Sequence, residues 1–181
     1  MNEKYYYLDE LIGMIDEPNQ TPCRRIYLDN QLMFETAKGS NIKHQAWQGG
    51  YIAHITEAMN FAVNIYQNLG HRRTLPFSLS DGLLITYLHD LEKPWKYGGS
   101  EEEKNELKKF SDYKEFILDK IKEYNFQLTE DHFNALRYVH GEGEDYSPHR
   151  NVQCPLAAFV HICDTISARI WPDFPKENGG W

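Results

Sequence analysis

The stretch Leu83-Leu84-Ile85-Thr86-Tyr87-Leu88-His89-Asp90-Leu91-Glu92-Lys93 decides how this chain is read. Its body is mostly apolar, which predicts a helix running to Lys93 with Pro94 stopping it. At its end two residue types that bind metals, an imidazole and a carboxylate, stand side by side. The dipeptide alone carries little. With 8 His in 181 residues, a His-Asp pair is expected by chance about half the time in a chain of this composition. Its context carries more: His54 lies upstream and Asp164 downstream, each on its own predicted helix.

Outward from this stretch the chain reads as further helices. Residues 5–15 form a short amphipathic helix, and 16–22 a loop holding Pro18 and Pro22. Residues 28–38 are helical until Lys38-Gly39-Ser40-Asn41 breaks them. From Gly50 to Asn68, Ile52, Ile55, Met59, Ala62, Val63 and Tyr66 recur at helical spacing. Ser80-Asp81 can cap the helix that carries His89. Residues 94–100 read as a loop, and 101–109 as a charged run whose Glu101-Glu102-Glu103-Lys104 is a solvated face. A helix over 111–124 follows, and Thr129 caps another that reaches His140. After a polar loop a last helix runs from Pro155 to Ile170, and the tail beyond Trp171 is extended or frayed. Strand signals are scarce, with no Asn-Gly or Asp-Gly hairpin. The expected fold class is all-α, a compact bundle of five or more helices forming one domain over residues 1–181.

Composition excludes several functions. The formal charge of −8 argues against double-stranded nucleic acid, which needs a basic surface. No apolar run approaches the ~18 residues of a membrane span, and Met1-Asn2-Glu3-Lys4-Tyr5 has no signal-peptide pattern. Cys23, Cys154 and Cys163 form no CxxC spacing, so reduced thiols and a cytoplasmic location are expected.

Four residues carry the chemistry: His54, His89, Asp90 and Asp164. Two imidazoles and two carboxylates suit a divalent ion such as Mn, Co, Ni, Fe, Zn or Mg. They leave coordination positions open for water and a substrate oxygen, as a catalytic site requires. Taken singly, each His on an apolar helix is more often a hydrogen-bonded core or surface residue. That reading weakens when these four residues fall on three separate helices.

The neighbourhoods of these residues resemble the HD-domain superfamily of metal-dependent phosphohydrolases. The run His44-Gln45-Ala46-Trp47-Gln48-Gly49-Gly50-Tyr51-Ile52-Ala53-His54 is similar to that family's first-ligand segment, with an aromatic and a Gly pair before the His. Leu88-His89-Asp90-Leu91-Glu92-Lys93 resembles the second, although the family usually has a small residue where Glu92 stands. His161-Ile162-Cys163-Asp164-Thr165-Ile166-Ser167-Ala168-Arg169 resembles the last. The likeness covers residues 44–170. It implies helices whose ligands converge near the centre of the bundle, with His54, His89, Asp90 and Asp164 as the metal ligands. It also implies hydrolysis of a phosphate ester or anhydride, foremost in a nucleotide, with metal-activated water as the nucleophile. Homo-oligomers are common in the family. Some members hold a second ion on extra His residues. Here His132, His140 and His149 follow the His-Asp pair, and no His lies between Asp90 and His132. One ion is favoured, with His140 and His149 as candidates for a second.

Other residues have weaker claims. Lys93, one turn after Asp90, could neutralise a phosphate, and Glu57, one turn after His54, could orient a water. Arg150 and Arg169 are candidate phosphate contacts, and Trp47 and Trp95 candidate pocket walls. His161 reads as packed beside the site, His44 as a pocket or loop residue, and His132 as a surface helix residue. Helical geometry turns Glu92 away from Asp90. Two other functions stay open: a non-catalytic module that senses a nucleotide, and a di-iron oxygenase, for which the chain lacks an obvious sixth ligand.

Overall fold

The computed structural model describes residues 4–170 and 172–173. Among them are nine α-helices and no strand. The helices are α1 (Leu8–Ile12), α2 (Gln20–Asp29), α3 (Gln31–Thr36), α4 (Gly50–Gly70), α5 (Leu79–Leu88), α6 (Glu101–Leu107), α7 (Tyr113–Glu123), α8 (Glu130–Tyr138) and α9 (Pro155–Ile170). The fold is all-α, as the spacing predicts.

Several boundaries differ from the sequence reading, each for a local reason. α1 is shorter than the span 5–15. α2 starts before Pro22, because a proline in the first helical turn lacks only an N–H that has no intrahelical acceptor. The helix expected over 28–38 is two helices, broken at Asn30, whose backbone leaves the helical region. Pro94 does not end a helix but opens a π-helical turn, Pro94–Gly98, where a loop was expected. The charged run folds as α6, capped by Ser100, and buries none of its residues, which agrees with a solvated face. The tail from Phe174 onward lies outside the described residues.

α4, α5 and α9 pack against one another, and α8 lies against α5 and α9. α5 runs through the middle, with every residue from Gly82 to Leu88 buried. Gly82 permits this close approach: a Cβ there would stand 2.8 Å from the Phe159 ring of α9. Phe34, Tyr51, Tyr87 and Phe116 are fully buried in the surrounding core. Burying a large apolar side chain stabilises by roughly 1.5–3 kcal/mol, so these three helices are held rigidly enough to position a site.

The caps of α5 and α8 are joined. Ser78 Oγ accepts the Asp81 N–H at 3.1 Å, and Thr129 Oγ1 accepts the His132 N–H at 3.3 Å. His132 Nδ1 accepts the Thr129 N–H, and its Nε2 lies 2.9 Å from Asp81 Oδ1. His132 is therefore not a surface residue but a buried link between two helix starts. The three cysteines form no disulfide, with Cys23 and Cys163 buried. No helix among the described residues is long and apolar enough to cross a membrane.

Candidate metal centre

The start of α4 explains its glycine pair. Gly49 adopts φ +81°, in the left-handed region that glycine enters without strain. At Gly50 a Cβ would stand only 1.9 Å from the Gln45 carbonyl oxygen. The Gly50 N–H then reaches the Trp47 carbonyl at 2.9 Å, and the Tyr51 N–H reaches that of Ala37 at 3.0 Å. This anchored first turn puts His54 on the buried face of α4.

The α5 helix ends at Leu88 rather than Lys93, and the chain tightens. The Leu91 N–H bonds to the Leu88 carbonyl at 3.2 Å and the Lys93 N–H to that of Asp90 at 3.0 Å, both three-residue turns. Consecutive side chains on a regular helix diverge by about 100°. In this turn His89 Nε2 and Asp90 Oδ2 instead come within 3.1 Å of each other. Asp164, from the middle of α9, completes the group.

His54, His89, Asp90 and Asp164 are all buried, and one ligand atom from each lies within 4.8 Å of the other three. His54 Nε2 is 3.3 Å from Asp90 Oδ2 and 3.2 Å from Asp164 Oδ1. His89 Nε2 is 3.5 Å from Asp164 Oδ1. Both Nε2 atoms are buried and meet these carboxylates at ionic distances, without a well-aligned hydrogen bond. Such atoms are costly unless something satisfies them. This group could hold a metal ion.

The outward ring nitrogens are occupied. His89 Nδ1 lies 2.6 Å from the Thr86 carbonyl, an acceptor only, so Nδ1 carries a proton. His54 Nδ1 lies 3.0 Å from Ser167 Oγ, and Ser167 donates its own proton to Glu57 Oε2 at 2.5 Å. Both rings therefore present Nε2 inward, held by a second layer of hydrogen bonds typical of metal-binding His.

Charge at the centre follows from burial and pairing. Burial opposes ionisation of His89, but the Asp90 and Asp164 carboxylates outweigh it and raise its pKa to about 10. Despite burial, Asp90 is held well below the usual carboxylate range by His89, Lys93 and His54. Asp164 is also lowered against its burial, by both histidines. Burial, then the Asp90 charge, pushes Glu92 up to about 7, and its Oε2 is buried without a partner. Glu92 is thus buried, yet it is not one of the four clustered residues.

A cavity of about 230 Å³ opens onto Asp90 and Asp164. Lys43, Lys93 and Arg169 line it, with His44, His140 and His161. Lys93 pairs with Asp90. His44 lies with its ring centroid 5.0 Å from that of His54, and burial and the Lys93 charge lower its pKa to about 4. His161 Nδ1 is anchored 2.5 Å from the Val139 carbonyl. His140 Nε2 stands farther out, 3.8 Å from Asp90 Oδ1 and 3.9 Å from Asp164 Oδ2. Burial and His89 lower its pKa.

Other residues singled out in the sequence lie elsewhere. Trp95 does not line this cavity: it is 2% exposed, in edge contact with Phe116 at 5.1 Å and beneath Lys120. Glu57 sits behind His54 on its Nδ1 side, a position suited to orienting the ring and not to a water at the ligand atoms. Trp47 is partly exposed and, like the exposed Arg150 and His149 of the loop before α9, is not among the residues lining this cavity. Ser167 and Lys43 escaped the sequence reading. Ser167 had a findable signal, since it stands three residues after Asp164, as Glu57 does after His54. Lys43 had none.

Compared with known proteins, the chain matches no family model, no curated protein and no solved structure.

Proposed function

We propose that this protein is a metal-dependent phosphohydrolase of the HD-domain type, acting on a phosphate ester or anhydride, foremost of a nucleotide. The observation that carries the reading is a buried His/His/Asp/Asp group beside a cavity that Lys43, Lys93 and Arg169 also line. The donor set fits a divalent ion, because two inward Nε2 atoms are buried among carboxylate oxygens without well-aligned hydrogen bonds. One ion at His54, His89, Asp90 and Asp164 is favoured over two. His140 stands outside that group, and His149 does not line the cavity.

A bound ion supplies Lewis acidity to a phosphoryl oxygen and to attacking water. The residues of the chain do the rest. Lys43 and Arg169 draw an anionic phosphate into the cavity, and Lys93 faces both the phosphate and Asp90. Ser167 and Glu57 hold His54 in the tautomer that presents Nε2.

A nucleotide panel assayed with Mn, Co, Ni, Mg and Zn tests the proposal. Phosphate or pyrophosphate release that depends on added metal and disappears in a folded Asp90→Ala variant supports it. Unchanged turnover in that variant overturns it. Tight nucleotide binding with no turnover under any metal indicates a sensing module. Two irons per chain with oxygen consumption indicate an oxygenase.

A further inference from the structure

The consecutive residues His89 and Asp90 face two different cavities. Asp90 lines the polar one described above, and His89 lines a second, of about 300 Å³, between α7 and α8. Its walls are Tyr113, Ile117 and Leu118 of α7 and Phe133 and Leu136 of α8. Three of these stay open to solvent: Tyr113 and Leu118 are each 39% exposed and Phe133 44%. Apolar side chains exposed singly are ordinary, but several around one concavity point to an occupant. Among the described residues no carboxylate lines this cavity; besides His89, its ionisable lining groups are the cations Lys114 and Arg137 and the Tyr113 phenol.

We infer that this cavity seats the organic group of the substrate: one flat apolar ring system, of nucleobase size, attached to the phosphate that enters the polar cavity. The inference rests on the hydrolase reading. Three features support this occupant. The volume lies at the small end of ligand sites, which suits one ring system and not a chain of nucleotides. The aromatic rings of Tyr113 and Phe133 offer faces and edges to a flat partner. The two cavities lie close, since the His89 ring that borders this one and the His140 ring that borders the polar one have centroids 6.0 Å apart. A compact phosphoester can therefore reach both. An acidic or doubly anionic organic group would fit the apolar walls poorly, and a bare alkyl phosphate would leave them empty.

The test uses the full chain and two variants at partly exposed wall positions, Leu118→Glu and Phe133→Ala, each checked for an unchanged helical circular-dichroism spectrum. Adenosine, guanosine, cytidine and thymidine are titrated into the metal-free protein, so the readout needs neither ion nor turnover. The expected result is that at least one nucleoside binds and that both variants weaken it by about tenfold or more. In the manganese-loaded protein the same variants should raise KM for the matching nucleoside monophosphate by about tenfold. Equal nucleoside binding in wild type and variants overturns the inference, as does no nucleoside binding at all. A wild-type dimer that Leu118→Glu splits into monomers also overturns it, since a second copy would then cover this face. Nucleoside binding lost in the variants, without turnover of any phosphate ester by the wild type, upholds the pocket and overturns the hydrolase reading instead.

Discussion

Ser167 of α9 donates a hydrogen bond to Glu57 of α4 at 2.5 Å, and through it the two residues fix the His54 ring. Neither contributes a ligand atom to the buried group. Outer hydrogen bonds of this kind usually change metal affinity by about 10–100-fold. Ser167→Ala should weaken metal binding to that extent, measured by competition with a chelating dye. Ser167→Thr, which keeps the hydroxyl, should recover part of the loss. Equal affinity in wild type and Ser167→Ala would show that His54 needs no such support.

Metal binding should depend on pH through His89. Its folded pKa, near 10, stands above the ordinary value of 6.5. Its protonated form therefore stabilises the metal-free fold fully below pH 6.5, and that contribution is lost as pH rises toward 10. An ion must displace the same proton. Apparent affinity should rise by up to about tenfold per pH unit across this window. Calorimetry in buffers of different ionisation enthalpy should record proton release on binding at pH 8. A flat pH profile with no proton release would contradict the pairing of His89 with Asp90 and Asp164.

Glu92 should be a cost to the fold at neutral pH. Its carboxyl is buried, one oxygen lacks a partner, and its pKa is raised to about 7. For an acid raised this way, folding stability falls as pH climbs from the ordinary value of 4.5 through 7. Glu92→Gln removes that penalty at nearly constant shape. In the metal-free protein its melting temperature should exceed that of the wild type at pH 8, and the gap should close near pH 5. A gap of the same size at both pH values would refute the account.

Gly50→Ala should be severe. The added methyl would meet a backbone oxygen, not a movable side chain, at 1.9 Å. Overpacking of this kind costs about 1–3 kcal/mol or more, and the displaced turn carries His54. The variant should lose both thermal stability and metal affinity in chemical denaturation and dye competition. Gly70→Ala is the control, because a Cβ there meets nothing within 4 Å.

The helices and the four-residue group were legible because both depend on local signals. Ile55, Met59 and Ala62 mark the buried face of α4 by spacing alone, and they are fully buried. His54, His89, Asp90 and Asp164 stood out as ligand types on apolar helices, and the fold brings them together. What was missed depends on departures from regular geometry or on distant partners. The burial of Glu92 had no signal in the spacing, because α5 ends before it in tight turns that no spacing rule anticipates. His132 has a charged neighbourhood in sequence, and only packing against Asp81, 51 positions away, buries it. Trp95 stands close to the site in sequence, yet the π-helical turn carries it into the core against Phe34 and Phe116.

The most direct test of the central claim is the metal content of the purified chain after equilibrium dialysis against manganese or zinc, for wild type, His54→Ala, Asp90→Ala and Asp164→Ala. The account predicts one tightly held ion per wild-type chain and none in any of the three variants, each still helical by circular dichroism. A wild-type chain that retains no ion, or variants that retain it undiminished, would contradict a metal centre built on these four residues.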